Sequence, residues 1–171
     1  MSTSLTTIDI DLLKRQRCGV IEMQAGQLRQ IQFRWWPKYV SLADVMWWGA
    51  RFHRRSWGDR CWVYYHQPRR FPNFLALTYL LSTRDCSLAT VFGGLDVLDE
   101  IACIKRSDAV LCDAWNRRIS ERVLKRKGWE PHAKSRWHRN YIKRFYGNYP
   151  QIKAEVGRQK AEGRSGLSST C

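Results

Sequence analysis

Acidic side chains are scarce in this chain. Its 171 residues hold 15 Asp and Glu against 30 Lys and Arg, a formal net charge of +15. Half of the cations therefore lack a formal counter-charge, and such a field draws polyanions: nucleic acid, anionic lipid or a phosphate-rich cofactor. Long apolar runs are missing too. None approaches the roughly 18 residues of a membrane span, so no membrane-spanning segment is expected. The opening MSTSLTTIDIDLLKRQRCGV sets its acids among the apolar residues and its basic cluster after them, which is not the order of a secretory leader, and a cytoplasmic location is the expectation.

Paired cysteine motifs are also lacking. Cys18, Cys61, Cys86, Cys103, Cys112 and Cys171 are scattered without a CxxC, which excludes a disulfide framework and fits a reducing compartment. His53, Cys61 and His66, or His132 and His138, have neither finger nor HExxH spacing, so no metal is expected. No internal repeat is present.

What remains suits one domain of ordinary core size. Residues 1–18 mix Thr, Ser, Asp and Leu without a sustained period and read as a loosely ordered lead or a short helix. Residues 19–149 read as a single α/β domain. Residues 150–171 turn polar, Gly- and Ser-rich, and read as a frayed or disordered tail.

Within the domain, GVIEM and LRQIQFRWW form two expected strands around a turn at Ala25-Gly26. Ile31, Phe33 and Trp35 alternate there with Gln30, Gln32 and Arg34. Pro37 ends the second strand. Ser41 opens an expected helix with Leu42, Val45, Met46, Gly49 and Phe52 on one face, extended by Trp47 and Trp48. RCWVYYH and the apolar FLALTYLL are strand candidates. LATVF is a further strand candidate, closed by a turn at Gly93-Gly94. Leu95 to Arg106 reads as a helix and AVLCDAW as a parallel strand covered on both faces. Arg118 to Lys127 reads as a basic helix stopped by Gly128, and NYIKRFYGNY as the last strand or a covering segment.

The stretch Gly93 to Trp129 resembles the second half of the GCN5-related N-acetyltransferase (GNAT) fold. In that family a glycine-rich turn leads into a helix, a strand, and an Asn-led helix ending in Gly-aromatic. Here Thr90-Val91-Phe92-Gly93-Gly94-Leu95 stands for the turn, Ala109 to Trp115 for the strand, Asn116 for the asparagine and Gly128-Trp129 for the end. The match covers about a fifth of the chain, and its outer turn positions, Thr90 and Leu95, depart from the family's pattern. The resemblance implies a mixed central sheet flanked by helices, and an acyl-CoA-dependent N-acyltransferase or an inactive relative that keeps the fold. The cofactor would be acetyl-CoA or another acyl-CoA, with Val91, Phe92, Gly93, Gly94, Leu95 and Asn116 at its site, and the acceptor an amine that no motif identifies. Amides at the start of a helix make an anion site suited to a pyrophosphate, and the strands on either side of the turn would splay to admit the pantetheine arm.

Acyl transfer needs a base for the amine and an acid for the leaving thiolate. Glu22, Tyr64, Tyr65, His66, Cys112, Asp113 and Tyr141 are the candidate groups, none marked by spacing. Where the family often places a tyrosine acid, this chain has Val123. A different function rests on residues 117–146. Arg122, Lys125, Lys143 and their basic neighbours interleave there with Trp137, Tyr141, Phe145 and Tyr146, a composition that suits a nucleic-acid surface in which cations take phosphates and rings stack on bases.

Overall fold

A computed structural model describes residues 10–35, 58–113, 121–133 and 139–149. Among them are three helices, α1 (Ile10–Arg15), α2 (Leu88–Ile104) and α3 (Glu121–Arg126), and seven strands. The strands are β1 (Cys18–Gln24), β2 (Gln27–Arg34), β3 (Arg60–His66), β4 (Phe74–Ser82), β5 (Ala109–Asp113), β6 (Glu130–Pro131) and β7 (Asn140–Arg144). All seven lie in one sheet in the order β2-β1-β3-β4-β5-β7-β6. The fold is a mixed α/β single-sheet domain in which β4 and β5 pair in parallel and every other neighbouring pair is antiparallel.

The first hairpin follows from its turn residues. Ala25 and Gly26 both take positive φ, 49° and 77°, which matches the right-handed twist of the flanking strands and sets Gln24 opposite Gln27. At the other end of the domain Gly128, at φ 80°, stops α3 and turns Trp129 inward, where the ring is buried.

The helix α2 organises the core. Val91, Leu95, Leu98, Ile101 and Ala102 recur at helical spacing on one face and are all buried. They pack on Ile21, Met23, Cys61, Val63, Tyr65, Leu75, Leu77 and Val110 of the sheet, and each large aliphatic side chain so buried contributes about 1.5–3 kcal/mol. On its polar edge α2 meets the last strand through an ion pair: Lys143 Nζ donates to Asp99 Oδ2 at 2.5 Å. Burial raises the Asp99 carboxyl above the usual range, and Lys143 acts against that shift.

Two expectations are corrected. LATVF is not a strand but the first turns of α2, and Gly93-Gly94 is not a turn but the middle of that helix. The strand that pairs in parallel with β5 is instead FLALTYLLS. The physical reason is close packing: the two glycines let the helix backbone approach Met23 and Val63, and a Cβ built on either would come within 2.8 Å of those side chains. The expected helix from Ser41, with Trp47 and Trp48, lies outside the described residues, as do Asn116, Trp137 and the tail 150–171. No helix among the described residues is long and apolar enough to cross a membrane.

Candidate functional site

Among the described residues the parallel pairing of β4 and β5 is short. Pairing runs from Phe74 opposite Ala109 to Leu77 opposite Cys112, yet β4 continues five residues further, through Thr78 to Ser82. On its other side β4 stays paired with β3 from Ala76 to Ser82, and the register there jumps from Tyr65 opposite Leu77 to Tyr64 opposite Tyr79. Thr78 is therefore an extra residue, a bulge one position past the last β5 contact. Bulges bend the strand and end pairing. Beyond it, no strand among the described residues pairs with the β5-facing edge of β4.

Strand register sorts the candidate acid-base groups onto two faces. Tyr65, Leu77, Cys112 and Tyr141 stand opposite one another in a row across four strands, on the face covered by α2. Burial raises the Tyr65 hydroxyl, and pushes the Cys112 thiol up to about 12. These groups belong to the core. Glu22, Tyr64, His66 and Asp113 fall on the opposite face, by the pairings of Glu22 with Trp62, His66 with Ala76 and Ala76 with Leu111. Cys61 and His66 consequently point to opposite sides of the sheet and cannot share one ion.

On that second face Glu22 is already engaged. Its side chain is 8% exposed, and its two oxygens accept from Arg29 Nη1 at 3.0 Å and Gln30 Nε2 at 2.5 Å. His66 Nδ1 lies 2.9 Å from Thr78 Oγ1, so the bulge residue fixes the imidazole. Burial lowers the His66 pKa, which keeps the ring neutral at neutral pH. Burial likewise raises Tyr64, with Arg34 lowering it and Glu22 raising it.

The α2 N-terminus lies five residues before the expected glycine turn. Ser87 caps it, its hydroxyl accepting from Thr90 N at 3.2 Å. Asp59 in turn accepts from Ser87 N at 2.9 Å and from Ser87 Oγ at 2.8 Å, a carboxylate at the positive end of the helix. Burial pushes the Asp59 carboxyl up, but bonds from Thr90, Ser87 and Cys86 outweigh it and hold the group below its ordinary value. Thr90 Oγ1 also accepts Gly26 N at 2.7 Å, tying the first hairpin to the helix.

Val91, Phe92, Gly93, Gly94 and Leu95 lie within α2 rather than on a turn, so their amides close helical bonds and do not point outward at a helix start. Gly94, Val91 and Leu95 are buried against the sheet. The loop that does lead from the parallel strand into the helix is Thr83-Arg84-Asp85-Cys86, on which Arg84 is exposed and forms no ion pair among the described residues. Thr78, Arg84 and Ser87 escaped the sequence reading. The available signal was the run of apolar residues at helical spacing from Val91, which passes through the two glycines without a break.

The basic aromatic segment 117–146 is largely internal. Trp129, Tyr141 and Phe145 are buried in the core, leaving Tyr146 as the exposed ring among the segment's described aromatics. Lys125, Lys127, Lys143 and Arg144 pair with Glu121, Asp96, Asp99 and Glu130, so much of its positive charge is met within the chain. Compared with known proteins, the chain matches no family model, no curated protein and no solved structure.

Proposed function

We propose that this protein is a divergent acyl-CoA-dependent N-acyltransferase with a GNAT-like sheet, moving an acetyl or other acyl group to an amine. The observation that carries the reading is that, among the described residues, parallel pairing stops at Leu77 and Cys112 while β4 runs on through the Thr78 bulge to Ser82. An edge that no described strand pairs at that point offers backbone donors and acceptors to the amides of a pantetheine arm. Its acyl carbon would then lie where the two strands part.

Several further features support it. A helix follows β4 directly and crosses over to a parallel β5, which is the chain order that the resemblance implies. In this reading the exposed Arg84 on the β4–α2 loop meets the pyrophosphate, replacing the glycine-turn site at residues 91–95. The amine must lose a proton before it attacks the thioester. On the face opposite α2, burial lowers the His66 pKa and favours its neutral ring, the state a base requires. The chain supplies orientation through Thr78 and exclusion of water through Val20, Tyr64 and Tyr79, each buried or half-buried on that face.

Titration with acetyl-CoA tests the reading. Saturation at 100 times the dissociation constant should stabilise the fold by about 2.7 kcal/mol and raise Tm accordingly. Arg84→Glu should weaken that shift without lowering the Tm of the free protein. Absence of both a Tm shift and a calorimetric signal with acetyl-CoA would overturn the proposal.

A further inference from the structure

One end of the sheet gathers cations from three separate stretches of chain. The start of β1, the end of β3, the starts of β4 and β5 and the end of α2 all meet there, as the register requires. Lys14 and Arg17 come from the α1–β1 junction, Arg69 and Arg70 from the β3–β4 loop, and Lys105 and Arg106 from the α2–β5 loop. Hydrogen bonds fix these stretches together: Lys105 Nζ donates to Gln16 O at 2.7 Å, and Gln67 N donates to Arg17 O at 2.7 Å. A dent of about 290 Å³ lies among Lys14, Gln67, Ile104, Lys105 and Arg106.

No carboxylate pairs with these cations among the described residues. The five ion pairs among the described residues engage Arg29, Lys125, Lys127, Lys143 and Arg144, and none engages this cluster. Asp11 and Asp108 are the acids within three positions of these cations in the chain. The repulsion is felt inside the cluster, because burial first and the Arg17 guanidinium second pull the Lys105 ammonium down to about 8. Like charges held together without counter-charge destabilise the fold, and a bound polyanion relieves that cost.

Two aromatic rings stand out from the same end. Phe71, between Arg70 and Pro72 at the tip of the β3–β4 loop, is 62% exposed, and Tyr146 is 71% exposed. Tyr146 has φ 44°, a conformation that a bulky residue adopts only when its surroundings impose it. Phe145 N and Tyr146 N both donate to Asp108 O, at 2.8 and 3.3 Å, and Asp108 N donates to Asn73 O at 2.7 Å. Asp108 thus links the turn that displays Tyr146 to the loop that displays Phe71.

We propose that this end of the sheet, with Arg17, Arg69, Arg70 and Arg106 around Phe71 and Tyr146, binds single-stranded nucleic acid. Cations spaced over three stretches follow a phosphate backbone, and exposed rings take the faces of unpaired bases. A duplex keeps its bases stacked and offers the rings nothing, so the site selects single strands. It uses none of the residues assigned to the acyl-CoA site and does not depend on acyl-CoA binding.

The test is fluorescence anisotropy of the full chain with a labelled oligothymidylate over a range of salt. Affinity should fall as salt rises, and Arg69→Gln with Arg70→Gln should flatten the log–log slope by about 1.4, at roughly 0.7 per lost phosphate contact on a single strand. Arg106→Asn, on a different stretch, should flatten it by about 0.7. Phe71→Ala should cost about tenfold in affinity at every salt concentration. As a control, Arg122→Gln with Arg126→Gln on α3 should change nothing. Equal affinity for a duplex of the same length, an equal loss in the α3 control, or tighter binding to phosphatidylserine vesicles than to the oligonucleotide would each overturn the proposal.

Discussion

A Cβ placed on Gly94 in the middle of α2 would sit 2.8 Å from Cγ2 of Val63 on β3, closer than real side-chain carbons come. The helix therefore touches the sheet with its backbone at this point. Val63 is β-branched and buried, so it has little room to turn away.

Replacing Gly94 by Ala is expected to lower stability by about 1–2 kcal/mol. Overpacking of about 1–3 kcal/mol outweighs the gain of up to about 1 kcal/mol from helix propensity. Gly93→Ala should be near neutral. Its closest neighbour is the flexible end of Met23, although Gly26 O at 3.3 Å limits the gain. Urea denaturation of both variants checks the contrast, and equal losses would contradict it.

Asp99 and Lys143 join α2 to β7 with side chains 6% and 14% exposed. Asp99 Oδ1 has no hydrogen-bond partner, so Lys143 alone compensates much of the buried charge. Lys143→Met should cost about 3–5 kcal/mol by leaving that carboxylate unpaired, whereas Asp99→Leu combined with Lys143→Met should recover most of the loss. A double-mutant cycle by chemical denaturation measures the coupling.

Lys105 makes the pH dependence of stability asymmetric. Below about pH 8 both folded and unfolded chains carry its ammonium, with the folded value at about 8. Between there and the unfolded value near about 10.4, the unfolded chain holds a proton that the folded chain has shed, so this group makes stability rise with pH. Cys61, Cys86 and Cys112, pushed up to about 12 chiefly by burial, act in the opposite sense, because the unfolded thiols ionise first. The wild type minus Lys105→Met difference in unfolding free energy isolates the lysine. It should increase from pH 8 to pH 10 by the linkage just given, and a flat difference would count against the depressed value.

Sequence periodicity located β1, β2, β3, β4 and β5 and the hairpin turn, because alternation and turn residues act over a few neighbouring positions. It failed at residues 88–94. Gly-Gly after an apolar pentapeptide reads locally as strand and turn, and only contact with Met23 and Val63, some thirty to seventy positions away, makes it helix. The candidate site was less legible for a similar reason. Thr78 looks like any strand threonine until the register with β3 shows it to be extra, and His66 gains its partner only through that bulge.

By itself the sequence determined the positive charge, the absence of long apolar runs, the short strands and the stop at Gly128. These depend on composition and on chemistry within a turn or two of chain. Tertiary structure decided the rest, because it sets distant residues side by side. It placed Asp59 at the start of α2, divided the titratable groups between two faces of the sheet, made Thr78 a bulge in β4, and brought three separate basic stretches to one end.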